Sequence, residues 1–246
     1  MKYGKILCII QARMGSERLP GKVMKELGGK PMIEHTLRRV AGSDRVDQVV
    51  LATSDKESEN VMVDYLTKKG FPVFRGDENN VLKRYVDCEE MYRGDIIIRV
   101  TGDCPFIDPD IIDNVITYFL INDYDYVRLD VPDTFVRGFD VEIFTKNAML
   151  RVYDITKNIE GDSPYKEHVT YYMYKHPEEF KIGYVKGSEL YTKNYRLCVD
   201  TPQDFELVTN IYNHFNDEWV GAGEIVKYLD ENPDIAKINQ DVIQKQ

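Results

Sequence analysis

The sequence predicts an α/β fold, a three-layer sandwich with a mainly parallel sheet between two layers of helices. Three observations lead there. Short apolar runs alternate with segments of helical periodicity through most of the chain, the pattern of strand and helix units in series. Crossovers between parallel strands are right-handed, so helices fall on both faces of the sheet. The chain has 246 residues, 43% of them hydrophobic, enough for one large α/β domain with a small appended lobe.

Each element has its own warrant. Ile6 to Ile10 is an apolar run ending in a glycine-containing turn, which reads as a buried strand. Pro31 suits a first helical position, and Ile33, Leu37 and Val40 follow at helical spacing. Val49 to Ala52 is a short strand. Val61, Met62, Tyr65 and Leu66 mark a helix that Gly70 can stop. Phe71 to Phe74 is the next strand. Val81, Leu82, Tyr85 and Val86 mark a helix closed by Gly94, and Ile96, Ile97, Ile98 and Val100 form the clearest strand. Asp108 then reads as an N-cap with Pro109 at the first helical position, ahead of an apolar stripe of Ile112, Val115, Ile116 and Phe119. The pattern weakens between Asp130 and Lys193, a Tyr-rich segment read as an inserted lobe at 130–193. This leaves 1–129 and 194–246 as the main domain. Tyr195 to Val199 reads as a strand returning to the core, and from Pro202 a helix runs through Phe205, Val208, Ile211 and Tyr212.

The charge distribution narrows the partners. The chain carries 32 basic and 42 acidic residues, yet its first thirty residues hold Lys2, Lys5, Arg13, Arg18, Lys22, Lys25 and Lys30 against only Glu17 and Glu26. A local cationic loop on an anionic body suits a small polyanion. Nucleic acid, which needs a broad basic face, is not expected. No apolar stretch approaches a membrane span, and charged Arg13 follows the first apolar run where a signal peptide would carry small residues. A cytoplasmic protein is expected. Cys8, Cys88, Cys104 and Cys198 are widely spaced, which fits a reducing compartment. Cys8 and Cys198 read as core residues, and Cys104 has no obvious base beside it. The four histidines show no zinc-ligand spacing.

The strongest functional signal is the loop after the first strand, which holds Arg13, Gly15, Ser16, Arg18, Gly21 and Lys22. Open α/β sheets bind ligands at the carboxyl ends of their strands. Small residues let backbone N–H groups reach phosphate oxygens, and the cations supply charge. The loop reads as a nucleoside triphosphate site, although charge alone leaves a solvated basic turn open. It is not a P-loop: five residues rather than four separate Gly15 from Gly21, and Val23 follows Lys22 where Ser or Thr would stand. The dinucleotide glycine pattern is absent as well.

Asp103 and Asp200 each follow a strand-like run. Either could cap a turn or helix, the role read for Asp108 and Asp204. As a pair at two strand ends they can converge on one Mg²⁺, which takes carboxylate, phosphate and water oxygens. Two further clusters, Arg137-Gly138-Phe139-Asp140-Val141-Glu142 and Lys166-Glu167-His168-Val169-Thr170, lie in the lobe segment. Each alone is as compatible with a solvated surface as with a site.

Residues 11–23, Gln-Ala-Arg-Met-Gly-Ser-Glu-Arg-Leu-Pro-Gly-Lys-Val, resemble the signature loop of cytidylyltransferases. These include the acylneuraminate and 3-deoxy-manno-octulosonate enzymes and the spore coat polysaccharide biosynthesis protein F branch. The resemblance extends in order through Val73-Phe74-Arg75-Gly76, Arg99 to Pro105, Gly138 to Glu142, Glu167 to Thr170 and Val199 to Pro202, nearly the whole chain. It implies a Rossmann-like fold of the nucleotide-diphospho-sugar transferase type, CTP as nucleotide, Mg²⁺ as cofactor, and a homodimer paired through the lobe. By matching motif, Arg13, Ser16, Arg18 and Lys22, with Gly15 in the loop, would bind the triphosphate. The Ala12 backbone and Arg75 would lie near the cytosine. Asp103 and Asp200 would hold Mg²⁺, and Asp140, Glu142 and His168 would face the acceptor. Arg13, Lys22, Asp103 and Asp200 are the implied catalytic set.

The chain departs from the resemblance at Glu17, where the branch commonly has a small hydroxyl residue, and at Thr101, where the octulosonate enzymes carry Gln. The implied reaction is CMP transfer from CTP to a sugar acid with release of pyrophosphate. The alternatives are a phosphorylated small metabolite as acceptor, giving a CDP product, and a glycosyltransferase using a finished nucleotide-sugar. A non-catalytic nucleotide-binding subunit is a third, against which the presence of both aspartates counts.

Overall fold

The computed structural model of the chain describes residues 4–161 and 163–244; Lys2 of the basic N-terminal stretch lies outside them. The N-terminal apolar run forms β1 (Ile6–Gln11). It pairs in parallel with β4 (Gln48–Ser54) on one side and β6 (Ile96–Thr101) on the other. β5 (Val73–Gly76) extends the sheet beyond β4, again in parallel. Beyond β6 lies β8 (Glu142–Thr145), antiparallel both to β6 and to β7 (Tyr126–Leu129), and β9 (Ile182–Val185) closes the edge parallel to β7. The seven-stranded order is β5-β4-β1-β6-β8-β7-β9, with β8 alone reversed. A small hairpin of β2 (Glu26–Leu27) and β3 (Lys30–Pro31) stands apart.

Successive β1 side chains serve opposite faces, as a strand dictates. Cys8 and Ile10 pack under α1 (Met32–Ala41), α2 (Asn60–Lys68), α4 (Pro109–Leu120), α8 (Pro202–Phe215) and α9 (Ala222–Glu231). Leu7 and Ile9 pack under α3 (Val81–Tyr92), α5 (Lys146–Thr156) and the short α7 (Tyr171–Lys175), which follows the four-residue α6 (Pro164–Glu167). The three-layer sandwich expected from the sequence is present. Asp108 caps α4 as read, its Oδ1 accepting from the amides of Asp110 and Ile111 at 2.9 and 3.2 Å.

Two expectations need correcting. Segment 130–193 does not stand apart from the sheet: β8 and β9 are strands of it, and Phe139 and Phe144 are fully buried in the two core layers. Its strands are only four residues long, and Glu142 breaks the apolar pattern of β8, so periodicity had little to read. Residues 195–199 do not form a strand. Arg196 makes one isolated bridge to Arg137, while Leu197 N donates to Arg137 O at 2.7 Å and Val199 N to Asp103 O at 2.8 Å. The segment threads between two loops at the carboxyl ends of the strands, and its apolar residues pack there rather than in a ladder.

Candidate active site

The strand direction brings the carboxyl ends of β1, β4, β5 and β6 to one edge of the sheet, and the cationic loop leaves β1 there. The loop folds on itself: Ser16 N and Gly21 N both donate to Met14 O, at 2.9 and 3.2 Å. Buried Glu59 fixes it to the scaffold, accepting from Met14 N at 2.9 Å and Thr53 Oγ1 at 3.0 Å. At Gly21 the chain takes a left-handed φ of 66°, which glycine adopts without strain, and Lys22 enters a short 3-10 turn.

Beside the loop lies a cleft of ≈ 650 Å³. At its floor Lys22, only 9% exposed, places Nζ 2.8 Å from Asp103 Oδ2, 2.8 Å from Asp200 Oδ1 and 2.7 Å from Val199 O. Burial works against the ammonium charge, but the two aspartates prevail and raise its pKa above the ordinary 10.5. Burial likewise opposes the Asp200 carboxylate, and Lys22, Arg18 and Arg196 together hold its pKa below the ordinary value. Arg18 Nη2 lies 3.0 Å from Asp200 Oδ2, and Arg196 pairs with the same oxygen. Asp204 acts as the brace. Its Oδ2 accepts from the amides of Asp200 and Thr201 at 2.9 Å each, and its Oδ1 accepts from Arg196 Nε at 3.1 Å and Asn239 Nδ2 at 2.7 Å. Asp103 is set by Gly102, whose amide donates to Gln11 O at 2.8 Å; a Cβ there would stand 2.7 Å from both Ala12 Cβ and Ile33 Cδ1. The two aspartates therefore bracket one cation position, reached from the phosphate-type loop.

Comparison along the whole chain identifies the family. Residues 7–228 match the model of the cytidylyltransferase family. The chain is 38% identical to spore coat polysaccharide biosynthesis protein SpsF of Bacillus subtilis, over 94% of this chain and 96% of that one. It is 26% identical to 3-deoxy-manno-octulosonate cytidylyltransferase of Solibacter usitatus, over 85% and 94%. A cytidylyltransferase structure from Leptospira borgpetersenii superposes with a TM-score of 0.88 at 31% identity, covering 99% of this chain and all of that one. The chain belongs to the cytidylyltransferase family.

In this CTP-dependent nucleotidyltransferase the cleft is bordered by Ala12, Arg13, Gly15, Ser16, Arg18 and Lys22 of the loop. Across from them stand Asp103, Asp200 and His168. Three residues singled out from the sequence lie elsewhere. Arg75 turns its guanidinium to the turn after β4, donating to Ser54 O, Lys56 O and Asn60 Oδ1 at 3.3, 2.6 and 2.7 Å. Asp140 accepts from Gly138 N at 2.6 Å, and burial raises its pKa. Glu142 faces inward from β8 to Arg99, the Tyr126 hydroxyl and Thr170 Oγ1, the last at 2.7 Å. Burial opposes its charge, and Arg99 restores it, holding the pKa below the ordinary value. Cys104 is buried, which pushes its thiol pKa far up and removes it as a nucleophile.

The sequence reading missed Arg84 and named Glu167 only as part of a cluster, without a role; both border the cleft. For Arg84 a signal existed. It stands three residues after Val81 and four before Cys88, on the apolar stripe of α3, where a cation calls for a reason.

Proposed function

We propose that this enzyme transfers CMP from CTP to a sugar acid, releasing pyrophosphate, in the synthesis of a surface polysaccharide precursor. The observation that carries this reading is the convergence of Asp103, Asp200 and Lys22 beside the glycine- and arginine-bearing loop. An acceptor oxygen attacks the α-phosphorus, the P–O bond to the β-phosphate breaks, and pyrophosphate leaves with the bonding electrons. Arg13, Ser16, the Gly15 backbone and Arg18 hold the triphosphate, and the Ala12 backbone borders the cytosine. Lys22 is the loop cation nearest the reacting phosphate and offsets charge that grows in the transition state. His168 and Glu167 line the acceptor side.

Asp103 and Asp200 fit Mg²⁺ by their chemistry: both present carboxylate oxygens to a single position, which the Lys22 ammonium holds here and would yield to the metal. Bound there, Mg²⁺ would offset the triphosphate charge and lower the pKa of the acceptor hydroxyl. We place the enzyme in the cytoplasm. Four unpaired, buried cysteines support a reducing compartment, and no helix among the described residues is long and apolar enough to cross a membrane. We also propose a homodimer. The Tyr165, Tyr171, Tyr172 and Tyr174 rings form a half-buried cluster suited to an interface. Phe135, Phe139 and Phe144 are buried within the chain and are not available to a partner. A monomer in sedimentation at working concentration would exclude the dimer.

The deciding experiment is a pyrophosphate-release screen of nucleotides against sugar acids and sugar phosphates, with the product weighed by mass spectrometry. A CMP-sugar acid is expected. A CDP product, or no release from CTP with any acceptor, would overturn the reading. Excess EDTA should abolish turnover; activity that survives it excludes Mg²⁺.

A further inference from the structure

We propose that Arg84 is a phosphate clamp of the nucleotide site, holding with Arg13 the two phosphates that leave as pyrophosphate. This rests on the CTP reading above. Arg84 is 4% exposed, borders the cleft, and belongs to the twelve-residue helix α3. Its Nη1 donates to Asp77 O at 2.8 Å, while its buried Nε has no hydrogen-bond partner. Among the described residues it makes no ion pair with a carboxylate.

Another buried arginine shows what a structural guanidinium looks like in this fold. Arg39, 2% exposed, donates to three carbonyls, those of Ile107, Glu218 and Val220, at 2.6, 2.6 and 2.9 Å. Arg84 has one. A buried cation so poorly compensated is unfavourable unless an anion comes to it. Burial depresses its pKa and the neighbouring Arg13 adds to this, an effect that Tyr85, Asp77 and Glu59 offset only in part.

The cations of the cleft thus fall into two sets. Lys22 and Arg18 already face Asp103 and Asp200. Arg13 and Arg84 sit close enough to repel, and Arg13 makes no ion pair among the described residues. Glu78 also borders the cleft, but among the described residues neither arginine is in ion-pair contact with a carboxylate, and this pair of cations is where the outer phosphates of a triphosphate are drawn.

The chain also holds Arg84 ready. A Cβ at Gly76 would lie 3.2 Å from Arg84 Cγ and 2.9 Å from Phe74 Cε1. The glycine that ends β5 leaves room for the Arg84 stem, and the next residue, Asp77, supplies the carbonyl that orients its head. The Val73–Gly76 motif therefore serves the cleft through Gly76 rather than through Arg75. A donor fixed before the ligand arrives needs no reorganisation as charge builds on the leaving pyrophosphate.

The test uses the full chain with Mg²⁺ present. Inorganic pyrophosphate, CTP and CMP are titrated by calorimetry into wild type, Arg84→Gln and Arg84→Lys. Arg84→Gln should weaken pyrophosphate and CTP roughly ten- to a hundredfold, the range for one charge-assisted hydrogen bond. CMP affinity should hold, and the ligand-free melting temperature should not fall. Arg84→Lys should recover part of the loss and decides the matter if Arg84→Gln does not fold. Unchanged pyrophosphate and CTP affinity overturns the clamp, as does an equal loss for CMP. Wild type that binds pyrophosphate but releases none from CTP would overturn cytidylyl transfer while leaving the clamp standing.

Discussion

Replacing Lys22 with Met tests the centre of the site. The substitution keeps the chain length and removes the charge. Asp103 Oδ2 and Asp200 Oδ1, each 2.8 Å from Nζ, are no more than twice 2.8 Å apart, and the ammonium no longer lies between them, although Arg18 and Arg196 still face Asp200. At an effective dielectric near 20, that separation gives a repulsion of about 3 kcal/mol. In a chain of this size such a loss lowers the melting temperature by roughly 6–12 °C. Mg²⁺ should replace the missing cation, so the variant is expected to regain most of that loss with Mg²⁺ and lose it again with EDTA. Wild type, where Lys22 occupies the position, should respond far less in the absence of nucleotide. Turnover should fall about a hundredfold, as when one transition-state donor is removed. Differential scanning calorimetry with and without Mg²⁺ reads the first effect and pyrophosphate release the second. A variant as stable as wild type and indifferent to Mg²⁺ would refute the shared position of Lys22 and the metal.

Other outcomes follow from the same contacts. Asp103→Asn and Asp200→Asn should each remove most activity with an unchanged circular dichroism spectrum, and a fully active double variant would remove both from the chemistry. The pH dependence of stability has a fixed sign. Asp200, with its pKa lowered, contributes stability above the ordinary 3.8 and loses it as pH falls below that value. Lys22, with its pKa raised, contributes fully below 10.5 and loses it as pH climbs past that value. Denaturant melts should show the trio's contribution flat between those limits, and a Lys22→Met enzyme with the same acid and alkaline limbs would sink the assignment. Glu142→Gln should cost about 3–5 kcal/mol in urea unfolding, because Arg99 loses its buried partner. A selective loss of acceptor affinity with full stability would instead return Glu142 to the acceptor.

The legible parts of the fold were those that local physics fixes. β1, β4 and β6 announce themselves by apolar runs buried on both faces, and Asp108 with Pro109 by its capping pattern. The reversal of β8 did not show, because a four-residue strand carrying Glu142 has no periodicity to speak of. Residues 195–199 misled for the opposite reason: they are apolar enough for a strand but are buried between loops. In the site, Asp103 and Lys22 could be found because each lies in a segment that follows a strand, and Asp200 because the apolar run before it resembles one, although that run is not a strand. Arg75 and Arg84 lie nine residues apart in sequence, and only the packing of Arg84 against Gly76 shows which of them borders the cleft.

The bracing of Asp200 by Asp204 and Asn239 has a consequence in time. The cationic loop is synthesised long before Asn239, which lies more than two hundred residues downstream. At ordinary rates of translation the two are separated by roughly 10–40 s. Throughout that interval the loop and the central strand are outside the ribosome while the brace on the second aspartate is incomplete. The enzyme is thus expected to acquire activity only once Asn239 has left the exit tunnel. Arresting translation with Asn239 still inside the exit tunnel should give a folded sheet without pyrophosphate release from CTP, and full activity in such an arrested chain would show that Asp204 holds Asp200 unaided.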